Sequence, residues 1–315
     1  GGNAVVKSGG KLTHGANGTT EAYRVAMRVG GDLTIESGGS ADVTARGYAG
    51  GYGPGAGAMW NANWQASASH GGLGAEHPSP VSWQTYGSVR CPTNLGSGGY
   101  QHGGGAICLE VGGATTLEGT MLARGEAQGL AGNAGGSIYL RTGTLTGGGT
   151  MDVSASTTDQ YGAGGGRLAA VLTAGATFGN VVMQAYGAGS LRGAAGTIYR
   201  QAAGQPLGVG TLLVDGNAVT YTTNTTTQLP STNLAPADEI KRTALVATNN
   251  VRVQVTTDSY LGDLFLTQDS VKLYLKGHTL RMNAAYHSSW GTTNRVVYDG
   301  GQIIWNLPGT VFVAR

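Results

Sequence analysis

Charge is scarce in this chain of 315 residues: Asp, Glu, Lys and Arg make up 11% of it, and the formal net charge is +2. No basic stripe or acidic tract occurs, which excludes an electrostatic footprint for nucleic acid or an anionic membrane. Proline (8 residues), phenylalanine (3) and cysteine (2) are also few. Two cysteines are too few for a disulfide framework or a four-ligand zinc site, although they suffice for one bridge. No run of about 18 apolar residues exists, so no membrane-spanning helix is expected. The opening residues, Gly1-Gly2-Asn3-Ala4-Val5-Val6, lack the charged and apolar regions of a signal peptide. The expectation is that a signal has been removed or that the chain is a piece of a longer one.

Glycine, by contrast, is abundant, at 58 residues, where a share of about 7% is usual. The lack of a strict Gly-X-Y period excludes collagen. Instead glycine punctuates a repeat. Gly105-Ala106-Ile107, Gly136-Ser137-Ile138, Gly166-Arg167-Leu168 and Gly196-Thr197-Ile198 recur at about 30 residues, and Gly119-Thr120-Met121, Gly149-Thr150-Met151 and Gly179-Asn180-Val181 keep step with them. Apolar residues at every second position mark strands. Three short strands with glycine corners in each unit lead to an all-β expectation: a right-handed parallel β-helix, or β-solenoid, of about 30 residues per coil. Its interior ladders would be Ile107, Ile138, Leu168 and Ile198, and Met121, Met151 and Val181.

A degenerate first copy lies upstream, with Val29 matching Val111. That offset demands an insertion of roughly 50 residues, placed at 50–103, which holds three of the five tryptophans and three of the six histidines. Residues 1–235 thus read as the repeat region with its insertion. Residues 236–315, rich in alternating strands but poor in glycine corners, read as further β coils or a cap of the same solenoid.

The motifs from Arg46-Gly47-Tyr48 through Ser69-His70-Gly71-Gly72-Leu73-Gly74 and Pro92-Thr93-Asn94-Leu95-Gly96-Ser97-Gly98-Gly99 to Gly164-Gly165-Gly166-Arg167-Leu168-Ala169 resemble the glycine-rich parallel β-helix modules of large bacterial secreted and cell-surface proteins. The resemblance covers about residues 12–200. It implies a β-helix and an extracellular or cell-surface setting, without a defined activity.

Candidate chemistry concentrates in the insertion. Trp60, Trp64, His70, His77, Trp83 and Tyr86, with Tyr100, form a set on which sugar rings could stack, the alternative being that they pack the insertion's own small core. No HxH or HExxH spacing occurs, so neither metal nor cofactor is expected. Arg124, Asp152 and Arg167 are the one catalytic trio worth weighing. By alternation Cys108 faces outward where the insertion returns, so a Cys91–Cys108 disulfide is expected, closing a loop of about 18 residues and contributing roughly 3 kcal/mol. Asn17 and Asn224 head candidate glycosylation sequons. The function expected is structural or adhesive, with self-assembly into a homo-oligomer or surface filament through the solenoid ends. The alternative is a polysaccharide-binding module, or a β-helix polysaccharide lyase or hydrolase.

Overall fold

Alternation at period two, interrupted by glycine, gives short strands that pair mostly in parallel. The computed structural model describes residues 1–57, 59–61, 64–65, 67–75, 84–128, 131–157, 160–220, 224–229, 239–283, 293–307 and 310–314. In the first part of the chain the successive units contribute strands to three sheets. A long sheet places Val25–Val29, Ala106–Val111, Ser137–Thr142, Arg167–Leu172 and Thr197–Gln201 side by side. A second contains Lys11–Leu12, Ser40–Asp42, Thr120–Leu122, Thr150–Asp152 and Val182–Gln184, and a third Ala4–Val6, Leu33–Ile35, Ala114–Leu117 and Thr144–Thr146.

Register follows the repeat closely. Val29 pairs with Val111 across the insertion, and Ile107, Ile138, Leu168 and Ile198 are successive partners. The methionine ladder differs: Met183, not Val181, follows Met121 and Met151. The turn before that strand is two residues longer, which moves the inward position from Val181 to Met183. Between the three sheets lies a core that includes Ile35, Leu109, Met121, Leu140 and Met151, each such side chain stabilising the fold by roughly 1.5–3 kcal/mol.

The chain then turns back. Gly204 and Gly208 both adopt positive φ (80° and 81°) around Pro206, and Thr211–Asp215 returns antiparallel to Thr197–Gln201. Ile198 opposes Leu213, and Tyr199 opposes Leu212. Opposed residues share a face, and here the faces belong to different cores. Ile198 points into the first, whereas Tyr199, Leu212 and Val214 point into a second core on the other side of the same sheet. Ala244–Thr248 and Asp263–Leu266 extend the long sheet over that second core. Two further sheets enclose it: Thr227–Leu229, Arg252–Val255, Lys272–Tyr274 and Val296–Val297; then Ser259–Leu261, Thr279–Met282, Gln302–Leu307 and Thr310–Ala314. The last two strands pair antiparallel.

The expected single right-handed parallel β-helix, with later coils or a cap continuing one solenoid, is therefore corrected. The molecule is a multi-sheet all-β fold whose eight-stranded sheet is mixed, because the chain reverses direction and its second core occupies the opposite face.

Candidate functional site

The insertion runs back over the face of the long sheet that the first core does not use. That face begins with Ala106, Ser137, Arg167 and Thr197, which share one register row. Ser137 Oγ donates to Asn94 O (2.6 Å), and Arg167 Nε donates to Tyr86 O (2.7 Å) while Nη1 donates to Thr197 Oγ1 (3.0 Å). Glycine makes the close approach possible. A Cβ on Gly96 would collide with the Gly135 carbonyl, and one on Gly164 with the Gly72 carbonyl. The backbone bonds Gly71 N to Gly165 O (2.9 Å) and Ala68 N to Gly132 O (3.0 Å) stitch the layers together.

Around Arg167 the polar groups form one buried brace. His70 is fully buried, and its ring stacks on Tyr86 with centroids 4.5 Å apart at 27°. His70 Nδ1 lies 2.7 Å from Gly135 O. A carbonyl only accepts, so Nδ1 carries the proton and Nε2 is left as a bare lone pair. Tyr86 OH donates to Leu95 O (2.6 Å) and lies 2.8 Å from Ser97 Oγ, which accepts from Gly55 N (3.0 Å). Burial, reinforced by the Arg167 charge, pushes the His70 pKa down to about 3. Burial also brings Arg167 down to about 10, opposed by Glu239, and drives the Tyr86 phenol well up. Glu239 fastens the same segment to the second core's side, accepting from Ser88 Oγ, Val89 N (3.1 Å) and Arg90 N (3.3 Å).

Placement of the sequence candidates follows from this brace. His70 and Tyr86 are interior groups and present no face to a ligand. Trp60 and Trp64 fall on a short antiparallel ribbon, Met59–Asn61 with Trp64–Gln65. His77 and Trp83 lie outside the described residues. The catalytic trio does not assemble: Arg124 Nε is 3.4 Å from Asp152 Oδ2, but Asp152 is largely buried and Arg167 belongs to the brace. Asn17 is buried, and its Nδ2, the atom a glycan would take, donates to Tyr23 O (3.0 Å) and Arg46 O (2.7 Å). Asn224 is exposed, its Oδ1 accepting from Arg252 (3.2 Å).

The expected disulfide is corrected as well: Cys91 and Cys108 are both free. Cys91 acts electrostatically on Tyr139, which stands beside Cys108 in the next strand. Burial pushes both thiols above their ordinary range. The inference of an oxidising compartment from that bond falls with it.

Sequence reasoning missed the brace function of Arg167 and Glu239. The signal for Arg167 was present, since it occupies a row otherwise held by Ala106, Ser137 and Thr197. It also missed Tyr52, which is exposed like Tyr100, one of the aromatics the sequence had put forward. A parallel bridge joins Gly50 to Gly98, and Gly98 N donates to Tyr52 O (3.0 Å), so the segments carrying Tyr52 and Tyr100 are tied together. The two tyrosines are 49% and 41% exposed, two of the exposed large hydrophobic side chains among the described residues. Tyr100 N donates to Ala131 O (3.3 Å), and His102 Nδ1 and Glu126 Oε2 lie 3.3 Å apart nearby in the chain.

Among the described residues no three His, Cys, Asp or Glu side chains converge as a metal site, and no helix is long and apolar enough to cross a membrane. No family model, no curated protein and no solved structure matches the chain.

Proposed function

We propose that the protein is a structural and adhesive scaffold, rather than a catalyst, that works outside the cell and contacts its target through the exposed Tyr52 and Tyr100. The observation that carries this reading is the contrast between the two aromatic sets. The side chains best suited to chemistry, His70, Tyr86 and Arg167, are buried in the brace, whereas Tyr52 and Tyr100 stand exposed on a glycine layer tied by backbone hydrogen bonds. Rigid, exposed tyrosines offer contact area at low entropy cost. The extracellular setting is supported by the resemblance of the glycine motifs to bacterial surface proteins. Self-association is supported by the alignment of Ala4–Val6, Lys11–Leu12 and Val25–Val29 at one end of their three sheets, where edge strands template pairing.

A second reading, a polysaccharide-binding module, is favoured by the same two exposed tyrosines, because a phenol ring matches the apolar C–H face of a pyranose. One experiment addresses both. Beads coated with the protein are passed over surfaces bearing neutral polysaccharide (xylan, laminarin or hydroxyethylcellulose) or matrix protein. Retention on at least one surface should fall tenfold or more in the Tyr52→Ala/Tyr100→Ala variant. Retention on polysaccharide selects the second reading. Retention unaffected by the double substitution, or absent on every surface, overturns the assignment of these two tyrosines.

A further inference from the structure

We propose that residues 67–75 and 84–99 form an acid-sensitive latch, in which His70 holds the insertion on the long sheet only while its imidazole is neutral. This goes beyond the scaffold reading and stands whether or not that reading does.

The geometry sets up the dependence. His70 Nδ1 is committed to the Gly135 carbonyl, so the remaining site of protonation is Nε2, which is buried and has no hydrogen-bond partner. Arg167 Nη2 is likewise buried and unpartnered. A proton on Nε2 would therefore place a second cation, and a second unpaired N–H, in a solvent-free site that already holds a guanidinium.

The groups facing His70 offer no relief. From the long sheet comes Arg167, whose charge disfavours protonation. From the insertion comes Tyr86, stacked on the ring, its hydroxyl already engaged with Leu95 and Ser97; Tyr48 and Glu21 act on that phenol rather than on the imidazole. The segment at Gly135 and Gly136 supplies only backbone. Glu239 acts on Arg167 and is already held by Ser88, Val89 and Arg90.

The same residue is a junction of the backbone network. His70 N donates to Gly72 O (3.1 Å), His70 O accepts from Tyr86 N (3.1 Å), and Gly71 and Gly72 both donate to Gly165 O. Displacing His70 opens the contact between insertion and sheet.

The sign follows from linkage. The folded-state value, about 3, lies below the ordinary 6.5, so the closed latch binds no proton where the open one does. Closure is complete above pH 6.5, weakens as pH falls from 6.5 towards 3, and at pH 4.5 the opening equilibrium should rise by roughly 100-fold.

Hydrogen exchange followed by mass spectrometry, at pH 7.0 and 4.5 and corrected for intrinsic rates, tests this in the whole chain. Protection of peptides covering 67–75 should drop by about that factor, while peptides covering Ser137–Thr142 keep theirs. In His70→Gln, which does not titrate, the pH dependence at 67–75 should vanish. Should that variant fail to fold, the wild-type ring is followed by NMR, where it should remain neutral down to about pH 4. Equal protection at both pH values, an equal drop in His70→Gln, or a His70 ring that titrates near 6.5 would each overturn the latch.

Discussion

Arg167 carries a charge into the interior without a carboxylate in contact, and it is held by a carbonyl and a hydroxyl from two different segments. Such a residue is costly to bury and costlier to remove, since truncation leaves its partners unsatisfied. Arg167→Ala should lower unfolding free energy by about 3 kcal/mol in urea titration, the Tyr86 carbonyl and Thr197 hydroxyl each contributing roughly 1–3. An effect below about 0.5 kcal/mol, the range of ordinary surface substitutions, would show that the brace carries little of the stability. At this scale the sequence was only partly legible. The position of Arg167 in a row of small residues could be read, but its partner Tyr86 is 81 residues away, and nothing local links the two. The same holds for Cys91 and Cys108. Alternation put Cys108 on the outward face as expected, but which group the Cys91 thiol acts on depends on where Tyr139 stands in the neighbouring strand.

Elements here are joined by what glycine leaves out. In the corner layer, carbonyls of one segment fill the space a methyl group would need in the next, as at Gly72 and Gly164. Gly164→Ala should therefore detach the insertion rather than unfold the sheets. Limited proteolysis should cut within residues 67–99 at least tenfold faster, with the strand content by circular dichroism nearly unchanged. Loss of the whole strand signal would instead make the layer part of the global fold. Between strands of successive units, charges pair across the rungs: Lys7 with Glu36 (3.0 Å), Lys11 with Asp42 (2.6 Å) and Arg28 with Glu110 (2.9 Å). These pairs lie at the surface, where solvent screens them, so they bias register more than they stabilise it. Register itself was readable for most units, because a slip of one residue would turn Ile107, Ile138 and Leu168 outward. It failed at Met183, where the spacing of glycines stayed regular while the turn grew.

For the molecule as a whole, the controlling feature is one sheet with a core on each face. Ile198 and Tyr199 are neighbours in a single strand, yet they belong to different cores, so damage to either core strains the strand that both share. Leu140→Ala in the first core and Leu245→Ala in the second should each cost about 2–5 kcal/mol and shift one common thermal transition. Two separable transitions, each sensitive to only one substitution, would mean that the cores melt independently. The acid latch lies between the two, since the insertion is sandwiched against the back of the long sheet and fastened onward through Glu239.

The sequence by itself determined the strands, their inward faces, the register across the insertion and the place where the repeat is interrupted. All of these depend on period-two alternation and on glycine at corners, which are properties of neighbours in the chain. Only the tertiary structure decided that the stack reverses after Gln201, that the second core lies on the other face, that His70 and Tyr86 are interior, and that the two thiols are not bridged. A turn containing Gly204, Pro206 and Gly208 announces a change of direction, but both antiparallel and parallel returns offer alternating faces to bury. Which face is taken depends on long-range pairing, Ile198 against Leu213 and Tyr199 against Leu212, and that choice is made by the folded chain rather than by any local pattern.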